Sequence, residues 1–302
     1  MPICGALAIV MEPSAATAEK HIAIWSHGKN WSQRNGSRTD LVLHNITGKR
    51  NRITTMKFSY YLLESEESRS LYDALRSGIS ALTPSVLLPK TALCEVNRTL
   101  KAILTDNPQF FWFTGKWGMR QNADTMEIFP KYLFDHTGVV NALGGIEQTV
   151  RELREPILQF HEPYQRLRFA YEWMLDNVAY GQTEHGGQTI YDALVKRRAV
   201  CKGISKAFQF LMDAFGVFST LQEGTLDGIE KHVWNVVEIE GKYYHVDISM
   251  GYDRFSFLFD DAKDDRYRCF AVSDVQLWRT HKLLHPEQPR LRCETTYQEG
   301  KK

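Results

Sequence analysis

The sequence predicts an α+β protein in which one helix packs against an antiparallel sheet, after a mixed, largely helical N-terminal extension. Three observations support this prediction. An amphipathic run begins at Cys201, two alternating segments flank Gly241, and apolar residues recur at helical spacing before residue 160. Repeats of 3.6 and of 2 residues are typical of helices and of strands, so both kinds of element are expected in one core.

The composition is that of a globular chain with a sizeable core, because 43% of the 302 residues are hydrophobic and 24% are charged. The 37 lysines and arginines almost balance the 36 acids, so no nucleic-acid partner is expected. No run of 18 apolar residues occurs, so no membrane span is expected. Five widely spaced cysteines without a Cys-x-x-Cys pair argue against a disulfide framework or a zinc site. We therefore expect reduced thiols, a cytoplasmic location and no metal or cofactor.

Residues 1–58 stand apart as a basic N-terminal segment. Between residues 19 and 57 there are eight lysines and arginines and only two acids, interleaved with Trp25 and Trp31. A nucleic-acid or membrane surface is one interpretation, and a solvated, loop-rich segment is the one we favour. The apolar start Ile3–Met11 is similar to a signal sequence but lacks a basic flank. A secreted or cell-envelope location with an atypical or truncated signal is therefore the alternative to the cytoplasm.

Between residues 59 and 155 the pattern is mainly helical. One helical run ends near residue 83, and a second ends at the turn that begins at Asp106. The aromatic cluster Phe110–Phe113 is interpreted as a buried strand, and a long helix is predicted over Pro163–Asn177. The apolar positions at helical spacing are Leu71, Leu75, Ile79 and Leu82 in the first run and Val96, Leu100, Ile103 and Leu104 in the second.

Cys201 opens the segment that carries chemistry. Apolar residues follow it at intervals of three and four, which predicts an amphipathic helix over 201–215 that ends at Gly216. A thiol in the first turn of a helix meets free N–H groups and the positive end of the helix dipole, and both favour the thiolate. From this argument alone, a nucleophile and a buried structural cysteine are equally good interpretations. The neighbouring side chains that add positive charge are Lys196, Arg197, Arg198 and Lys202.

Two alternating segments, His232–Glu240 and Lys242–Ile248, predict a β-hairpin that turns at Glu240-Gly241. A two-residue loop sorts most apolar side chains onto one face and brings His232 and Asp247 together on the other, polar face. Such diagonal neighbours have Cβ atoms about 5–8 Å apart. A loop of odd length would place the two side chains on opposite faces of the sheet.

A histidine beside an aspartate, both facing a thiol at a helix end, is the nucleophile–base–orienter arrangement of thiol acyl transfer. His232 taken alone is more often a surface or core histidine. The joint occurrence of Cys201, His232 and Asp247 favours the catalytic interpretation. His245 shares the polar face, but its position in the middle of the strand argues against it as the base.

The motifs around these three residues resemble those of bacterial members of the transglutaminase-like superfamily. The resemblance covers about residues 60–285, and the combination of the three motifs is specific. Ile204 and Ser249-Met250 differ from the residues usual in the family at positions that affect the lining of the substrate cleft, so the resemblance leaves the particular substrate open. The matching motifs are AVCKGISKAF (199–208), HVWN (232–235) and YHVD (244–247), with DNPQFFW (106–112), DNVAY (176–180), TIY (189–191), FAVSD (270–274) and Thr280-His281 around them.

The resemblance implies a papain-like core in which Cys201 is the acyl-accepting nucleophile, His232 the base and Asp247 the group that orients the imidazole. The backbone N–H of Cys201 would form part of an oxyanion hole. Tyr191 and Trp234 are weaker candidates for a second oxyanion donor or for the cleft lining, and a core aromatic is an equally good interpretation of Tyr191.

The implied activity is thiol-dependent acyl transfer on peptide or glutamine amides through a cysteine acyl-enzyme, which ends in hydrolysis or in transfer to an amine. The implied partner is a protein or peptide substrate. The alternative is a non-catalytic transglutaminase-like fold that serves as a protein-binding module. An intact triad is the feature that argues against that alternative.

Four segments are expected, namely the basic segment 1–58, the helical extension 59–155, the catalytic core 156–285 and a tail 286–302. The sequence does not indicate the oligomeric state. His281 and His285 have the i,i+4 spacing of metal ligands but lack an adjacent glutamate, so they are interpreted as two histidines near a helix end.

Overall fold

A computed structural model of the chain describes residues 58–258 and 266–298. The predictions for the basic N-terminal segment and its signal-like start lie outside the described residues. Among the described residues, no helix is both long and apolar enough to cross a membrane. The predicted α+β class is confirmed, because helices pack together with antiparallel sheets.

The N-terminal extension contains a small antiparallel sheet in the strand order β1-β3-β2, together with helices. Residue 155, where the extension was expected to end, lies inside the last of these helices, so the chain passes into the core without a linker there. The helices are α1 (Phe58–Tyr61), α2 (Glu66–Ser80), α3 (Leu93–Asp106) and α4 (His136–Leu158), and the strands are β1 (Val86–Pro89), β2 (Phe113–Gln121) and β3 (Thr125–Tyr132).

The prediction of a strand over Phe110–Phe113 is wrong for its first three residues. Residues 110–112 lie outside any strand, and β2 begins only at Phe113. These aromatic side chains are nevertheless buried, and the indole Nε1 of Trp112 donates to the carbonyl oxygen of Ile79 at 2.9 Å. The continuous run of aromatic residues therefore indicates that this segment is buried, but it does not indicate that the segment is a strand.

The core contains a five-stranded antiparallel sheet in the order β10-β6-β7-β8-β9, a two-stranded parallel pair β4-β5, and helices packed on them. Two short 3₁₀ helices, Ile248–Gly251 and Asp253–Leu258, follow β8. The helices are α5 (Pro163–Asn177), α6 (Ile190–Leu194), α7 (Cys201–Ala214) and α8 (Asp274–Leu277), and the strands are β4 (Ala179–Tyr180), β5 (Arg198–Ala199), β6 (Ser219–Leu226), β7 (Glu230–Ile239), β8 (Lys242–Val246), β9 (Phe270–Val272) and β10 (His281–Leu283).

The predicted helices at residues 163 and 201 are confirmed within one residue. Helix α7 ends at Ala214, and Gly216 follows with a φ of +77°, a backbone conformation that glycine adopts without steric cost. The stripe of apolar side chains is buried because α7 packs against both α5 and the sheet. Its members are Ile204, Ala207, Phe208, Leu211 and Met212.

The predicted register of the β7–β8 hairpin is confirmed. Asn235 pairs with Val246 and Ile239 pairs with Lys242. The loop residues Glu240 and Gly241 have φ angles of +53° and +76°, as a two-residue turn of type I′ requires. His232 and Asp247 therefore lie on the same face of the sheet.

The segment after β10 packs against the core. The ring of Tyr297 stacks on that of Tyr164 at 4.2 Å between centroids, and the Tyr297 N–H donates to the carbonyl of Ala271 at 2.9 Å. Cys293 is fully buried, and its carbonyl accepts from the backbone N–H of Asp274 at 2.7 Å. Part of the expected tail is thus bound to the end of the five-stranded sheet.

Candidate active site

Cys201 is the first residue of α7, and its side chain is partly exposed. Val200, the N-cap residue, makes no side-chain cap hydrogen bond, so the N–H groups of the first turn are left for other partners. The carbonyl of Gly187 accepts from the Val200 N–H at 2.9 Å. A Cβ atom at Gly203 would lie 2.3 Å from that same carbonyl oxygen, so the loop approaches the helix this closely only because residue 203 is glycine.

Side-chain hydrogen bonds fix the beginning of α7 to strand β7. The hydroxyl of Ser205 donates to the carbonyl of Val233 at 2.9 Å, and the Asn235 amide donates to the carbonyl of Ser205 at 3.0 Å. The same amide donates to the hydroxyl of Ser219 at 3.2 Å. Since His232 precedes Val233, these bonds set the position of its ring relative to the helix.

His232 and Asp247 form a buried pair, with 2.6 Å between Nε2 and Oδ2. Burial disfavours the charged ring, but Asp247 and then Cys201 act in the opposite direction and raise the pKa of His232 to about 10. Burial likewise disfavours the carboxylate, yet His232 and then His281 hold the pKa of Asp247 well below its usual range. Because Nε2 of His232 is bonded to Asp247, Nδ1 is the nitrogen left to meet the thiol of Cys201.

Asp247 uses its two oxygens for different partners. Oδ1 accepts from the backbone N–H of Ser249 at 2.9 Å, which starts the first 3₁₀ helix. Oδ2 accepts from His232 and, at 2.9 Å, from Nε2 of His281. The interpretation of His281 as one of two histidines near a helix end is therefore wrong, because it lies on β10 with its side chain buried against Asp247.

A second histidine–carboxylate pair lies on the same face of the sheet. Nε2 of His245 is 2.9 Å from Oδ1 of Asp274, and the guanidinium of Arg290 contacts both oxygens of Asp274 at 2.9 and 3.0 Å. Burial, with the charge of Arg290 acting in the same direction, outweighs the carboxylate and lowers the pKa of His245. His245 thus lies beside a carboxylate without being favoured as a cation.

Trp234 separates the two pairs and does not line an open cleft, because its side chain is fully buried. Its ring stacks on that of His232 at 6.2 Å between centroids with an interplanar angle of 20°. Its indole Nε1 donates to Nδ1 of His245 at 3.0 Å. The ring of Trp278 makes an edge contact with the Trp234 ring at 6.1 Å between centroids. Trp234 therefore supports the His232 ring.

Tyr180 is a site residue that the sequence reasoning did not single out. It pairs with Ala199 in the parallel β4–β5 ladder, two residues before Cys201. Burial and the charge of Cys201 raise the pKa of Tyr180, whereas a hydrogen bond from the backbone N–H of Cys201 to the hydroxyl lowers it. The motif DNVAY contains this tyrosine, so a signal was present, but only the pairing of two short strands brings the tyrosine beside Cys201.

Tyr191, the oxyanion candidate of the sequence, lies in an aromatic cluster. Its ring is 6.1 Å from that of Phe111, 5.4 Å from that of Phe134 and 6.3 Å from that of His185. None of its described ring contacts is with Cys201 or His232. Two of these partners, Phe111 and Phe134, belong to the N-terminal extension, and the short motif TIY could not predict contacts with such distant residues.

The basic residues upstream of Cys201 have partners of their own. Lys196 forms an ion pair with Glu184 at 3.1 Å, and the guanidinium of Arg197 lies 4.5 Å from the centre of the Trp173 ring. Arg198 donates to the carbonyl of Gln182 at 3.1 Å. These side chains therefore stabilise a thiolate at Cys201 less than expected. His232 is the positive group that acts on Cys201 directly.

Two clusters in the described residues have donors close enough to hold one metal ion. In the first, the spacings of Asp247 to His232 and to His281 are those of N–H···O hydrogen bonds, so both imidazole nitrogens carry the protons that they donate. The second joins His245, Asp274 and Cys293, where the Trp234 indole occupies one ring nitrogen and Arg290 contacts the carboxylate. In both clusters the atoms that could bind a metal ion already take part in hydrogen bonds or ion pairs, so neither cluster is well suited to a cation.

Comparison with known proteins gives a family match for the segment that contains these residues. Residues 151–248 match the model of the transglutaminase-like superfamily. A solved structure described as a TGase has 9% identity and a TM-score of 0.34, with 50% of this chain and 46% of that one covered. A protein of Cytophaga hutchinsonii, named provisionally as a cysteine protease, has 14% identity and a TM-score of 0.30, with 43% of this chain and 54% of that one covered. The chain thus spans about half of each solved structure, and no curated protein matches it.

Proposed function

Because this chain is a transglutaminase-like superfamily protein over residues 151–248, we propose that it is a thiol enzyme that transfers acyl groups from peptide or glutamine amides. The observation that carries the proposal is the contact of a partly exposed thiol with a buried imidazole that is itself bonded to a carboxylate at 2.6 Å. A nucleophile, a base and an orienting group in contact are what thiol acyl transfer requires.

In this proposal Cys201 and His232 react as a thiolate and an imidazolium. The thiolate attacks the carbonyl carbon, and the imidazolium gives its Nδ1 proton to the leaving amine as the acyl-enzyme forms. Neutral His232 then removes a proton from water or from an incoming amine, and that nucleophile releases the product. Asp247 holds the ring through Nε2 and stabilises the imidazolium in both steps.

The negative charge that develops on the carbonyl oxygen needs donors in place before the reaction. The backbone N–H of Cys201 is one, because no side-chain cap bond occupies the first turn of α7. The Tyr180 hydroxyl, which meets this N–H in the resting protein, is our proposal for the second. An oxyanion between them would accept from both the N–H and the O–H.

Alkylation by iodoacetamide tests the thiolate–imidazolium pair without a substrate. Mass spectrometry of the full chain at a series of pH values should show Cys201 alkylated well below the pH at which the exposed Cys94 reacts. Cys94 is an internal control in the same sample. An inflection near the ordinary thiol value of about 8.5 for both cysteines would contradict the proposal and support a binding module.

Acylation by p-nitrophenyl acetate tests the covalent step. Cys201 should gain an acetyl group of about 42 Da, and Cys201→Ser and His232→Gln should not. Substrate peptides then identify the acyl acceptor, because deamidation adds about 1 Da, amine transfer releases about 17 Da, and hydrolysis of the backbone cuts the chain. A wild-type protein that is never acylated, and leaves a diverse peptide mixture unchanged, would refute the enzymatic proposal.

A further inference from the structure

One carboxylate oxygen of Asp247 accepts hydrogen bonds from two imidazoles. Oδ2 of Asp247 lies 2.6 Å from Nε2 of His232 and 2.9 Å from Nε2 of His281. A carboxylate only accepts hydrogen bonds, so both histidines donate to it. Nδ1 of His281 is 2.9 Å from the hydroxyl of Thr280, which can donate to it and hold the ring in the Nε2–H tautomer.

We propose that His281 is a positioning residue that moderates the hold of Asp247 on the proton of His232. By donating to the same oxygen, His281 takes up part of the carboxylate charge. The imidazolium of His232 then stays acidic enough to protonate a leaving amine. This inference rests on the proposed function, but it concerns a residue outside the nucleophile, base and orienting group, and outside the matched residues 151–248.

The surroundings of His281 leave Asp247 as its main electrostatic partner. The titratable groups that face its ring are Asp247, His232 and His245. The Trp234 ring lies 5.0 Å from it between centroids, and the Thr280 hydroxyl contacts Nδ1. The His281 side chain is fully buried, so water does not screen its bond to Asp247. The Ser249 N–H and His232 still hold the carboxylate if His281 is removed, and loss of its N–H therefore leaves Asp247 in place with one donor fewer.

The pH dependence of Cys201 alkylation by iodoacetamide separates this role from a purely structural one. In the wild type the pH profile should have an alkaline limb, a second change of rate where His232 loses its proton and the Cys201 thiolate reacts without its imidazolium partner. In His281→Phe that limb should move to higher pH by about one unit, because the less neutralised carboxylate holds the His232 proton more tightly. His281→Gln keeps an N–H donor and should restore the limb to within about 0.3 units of the wild type.

His285→Gln is the matched control, since His285 belongs to the same segment, is half exposed and contacts Glu287 at 3.3 Å. Its profile should coincide with that of the wild type. The inference is overturned if the His281→Phe limb stays in place or moves to lower pH, or if His285→Gln moves it equally. A wild-type Cys201 that titrates like Cys94 would instead refute the proposed function, so the two failures are distinguishable.

A measurement on the unsubstituted protein covers the case in which His281→Phe does not fold. Long-range ¹H–¹⁵N correlation spectra report which ring nitrogen of each histidine carries the proton. His281 should be protonated at Nε2 and not at Nδ1 at neutral pH. Protonation at Nδ1 alone would remove the donor to Asp247 and overturn the inference.

Discussion

The two histidine–carboxylate pairs on one face of the sheet share their chemistry and differ in outcome. Both imidazoles are buried, and both lie within 3 Å of a carboxylate oxygen. The pKa of His232 is raised to about 10, whereas the pKa of His245 is lowered. Proximity to a carboxylate therefore does not by itself make a histidine a base that works as a cation.

The difference comes from what else the carboxylate contacts. Asp274 is partly exposed and is bound through both oxygens by Arg290, which neutralises it. Asp247 is fully buried, and its partners are two imidazoles and one backbone N–H. In addition, Nδ1 of His245 accepts from the Trp234 indole, which requires that nitrogen to be unprotonated. The Arg290 guanidinium and the Trp234 indole thus favour a neutral His245, and this pair serves to hold the Trp234 ring.

Exchange of each carboxylate for its amide is the strongest test of this difference. Asp247→Asn should lower kcat/KM for p-nitrophenyl acetate by about 10²–10⁴-fold, because the wrong imidazole tautomer faces the thiol. Asp274→Asn should change it by less than about tenfold, since His245 acts only through Trp234. Thermal unfolding of both variants checks that the fold is kept. Equal losses in the two variants would contradict the assignment of His232 as the base.

Removal of a hydroxyl beside the thiol should have the next largest effect. Tyr180→Phe should lower the rate of acylation by about 10²-fold, the typical loss for one oxyanion donor, and leave alkylation by iodoacetamide unchanged. Alkylation forms no oxyanion, so the two rates separate stabilisation of the transition state from thiol reactivity. Tyr252→Phe is the control, since its hydroxyl donates to the carbonyl of Val178 at 2.6 Å. Faster acylation in Tyr180→Phe would show that the hydroxyl blocks the site.

The two histidines should give the unfolding free energy opposite slopes with pH. A raised pKa in the folded state means that the contribution of His232 is present below the ordinary value of about 6.5 and is lost as the pH rises towards about 10. A lowered pKa means that His245 takes up a proton on unfolding, so stability falls as the pH drops below about 6.5. Urea unfolding between about pH 5 and 10 measures both limbs. His232→Gln should flatten the alkaline limb by roughly 1–3 kcal/mol, and His245→Gln should flatten the acid limb by less.

The smallest expected effect is at Arg290. Arg290→Met removes the cation from Asp274, so the pKa of His245 should rise while acylation of Cys201 stays near the wild-type rate. NMR titration of the His245 ring measures the shift. Arg292→Met, in the same segment, should leave the titration unchanged. A His245 ring that titrates alike in Arg290→Met and the wild type would show that the indole of Trp234 alone keeps it neutral.

The parts of the site that the sequence predicted depend on local patterns. Helical spacing after Cys201 and the even-length loop at Glu240-Gly241 are properties of contiguous residues, and the structure has both. The roles of His281 and Asp274 could not be read in this way. His281 is 34 positions from Asp247 and reaches it only because β10 pairs with β6. Long-range strand order is not encoded in any local repeat.

The sequence also did not predict how deeply the polar face of the hairpin is buried. Alternation suggested a polar face on the hairpin, and His232, Trp234, His245 and Asp247 do share that face. All four are nevertheless buried, because residues 270–283 return as β9, α8 and β10 and cover them. Tyr191 likewise packs against aromatic residues of the extension, and its own motif does not predict these contacts.

The position of β10 has a practical consequence for recombinant work on this chain. The family match ends at residue 248, just past the hairpin, and a fragment cut there would keep Cys201, His232 and Asp247. It would lack the strand that supplies His281, the helix that begins at Asp274, Trp278 directly after that helix, and the covering segment around Cys293. The buried aspartate would then face solvent. A fragment meant to keep this site intact must therefore extend to about residue 298, and fragments cut at the end of the family match should fold poorly or lose the reactivity of Cys201.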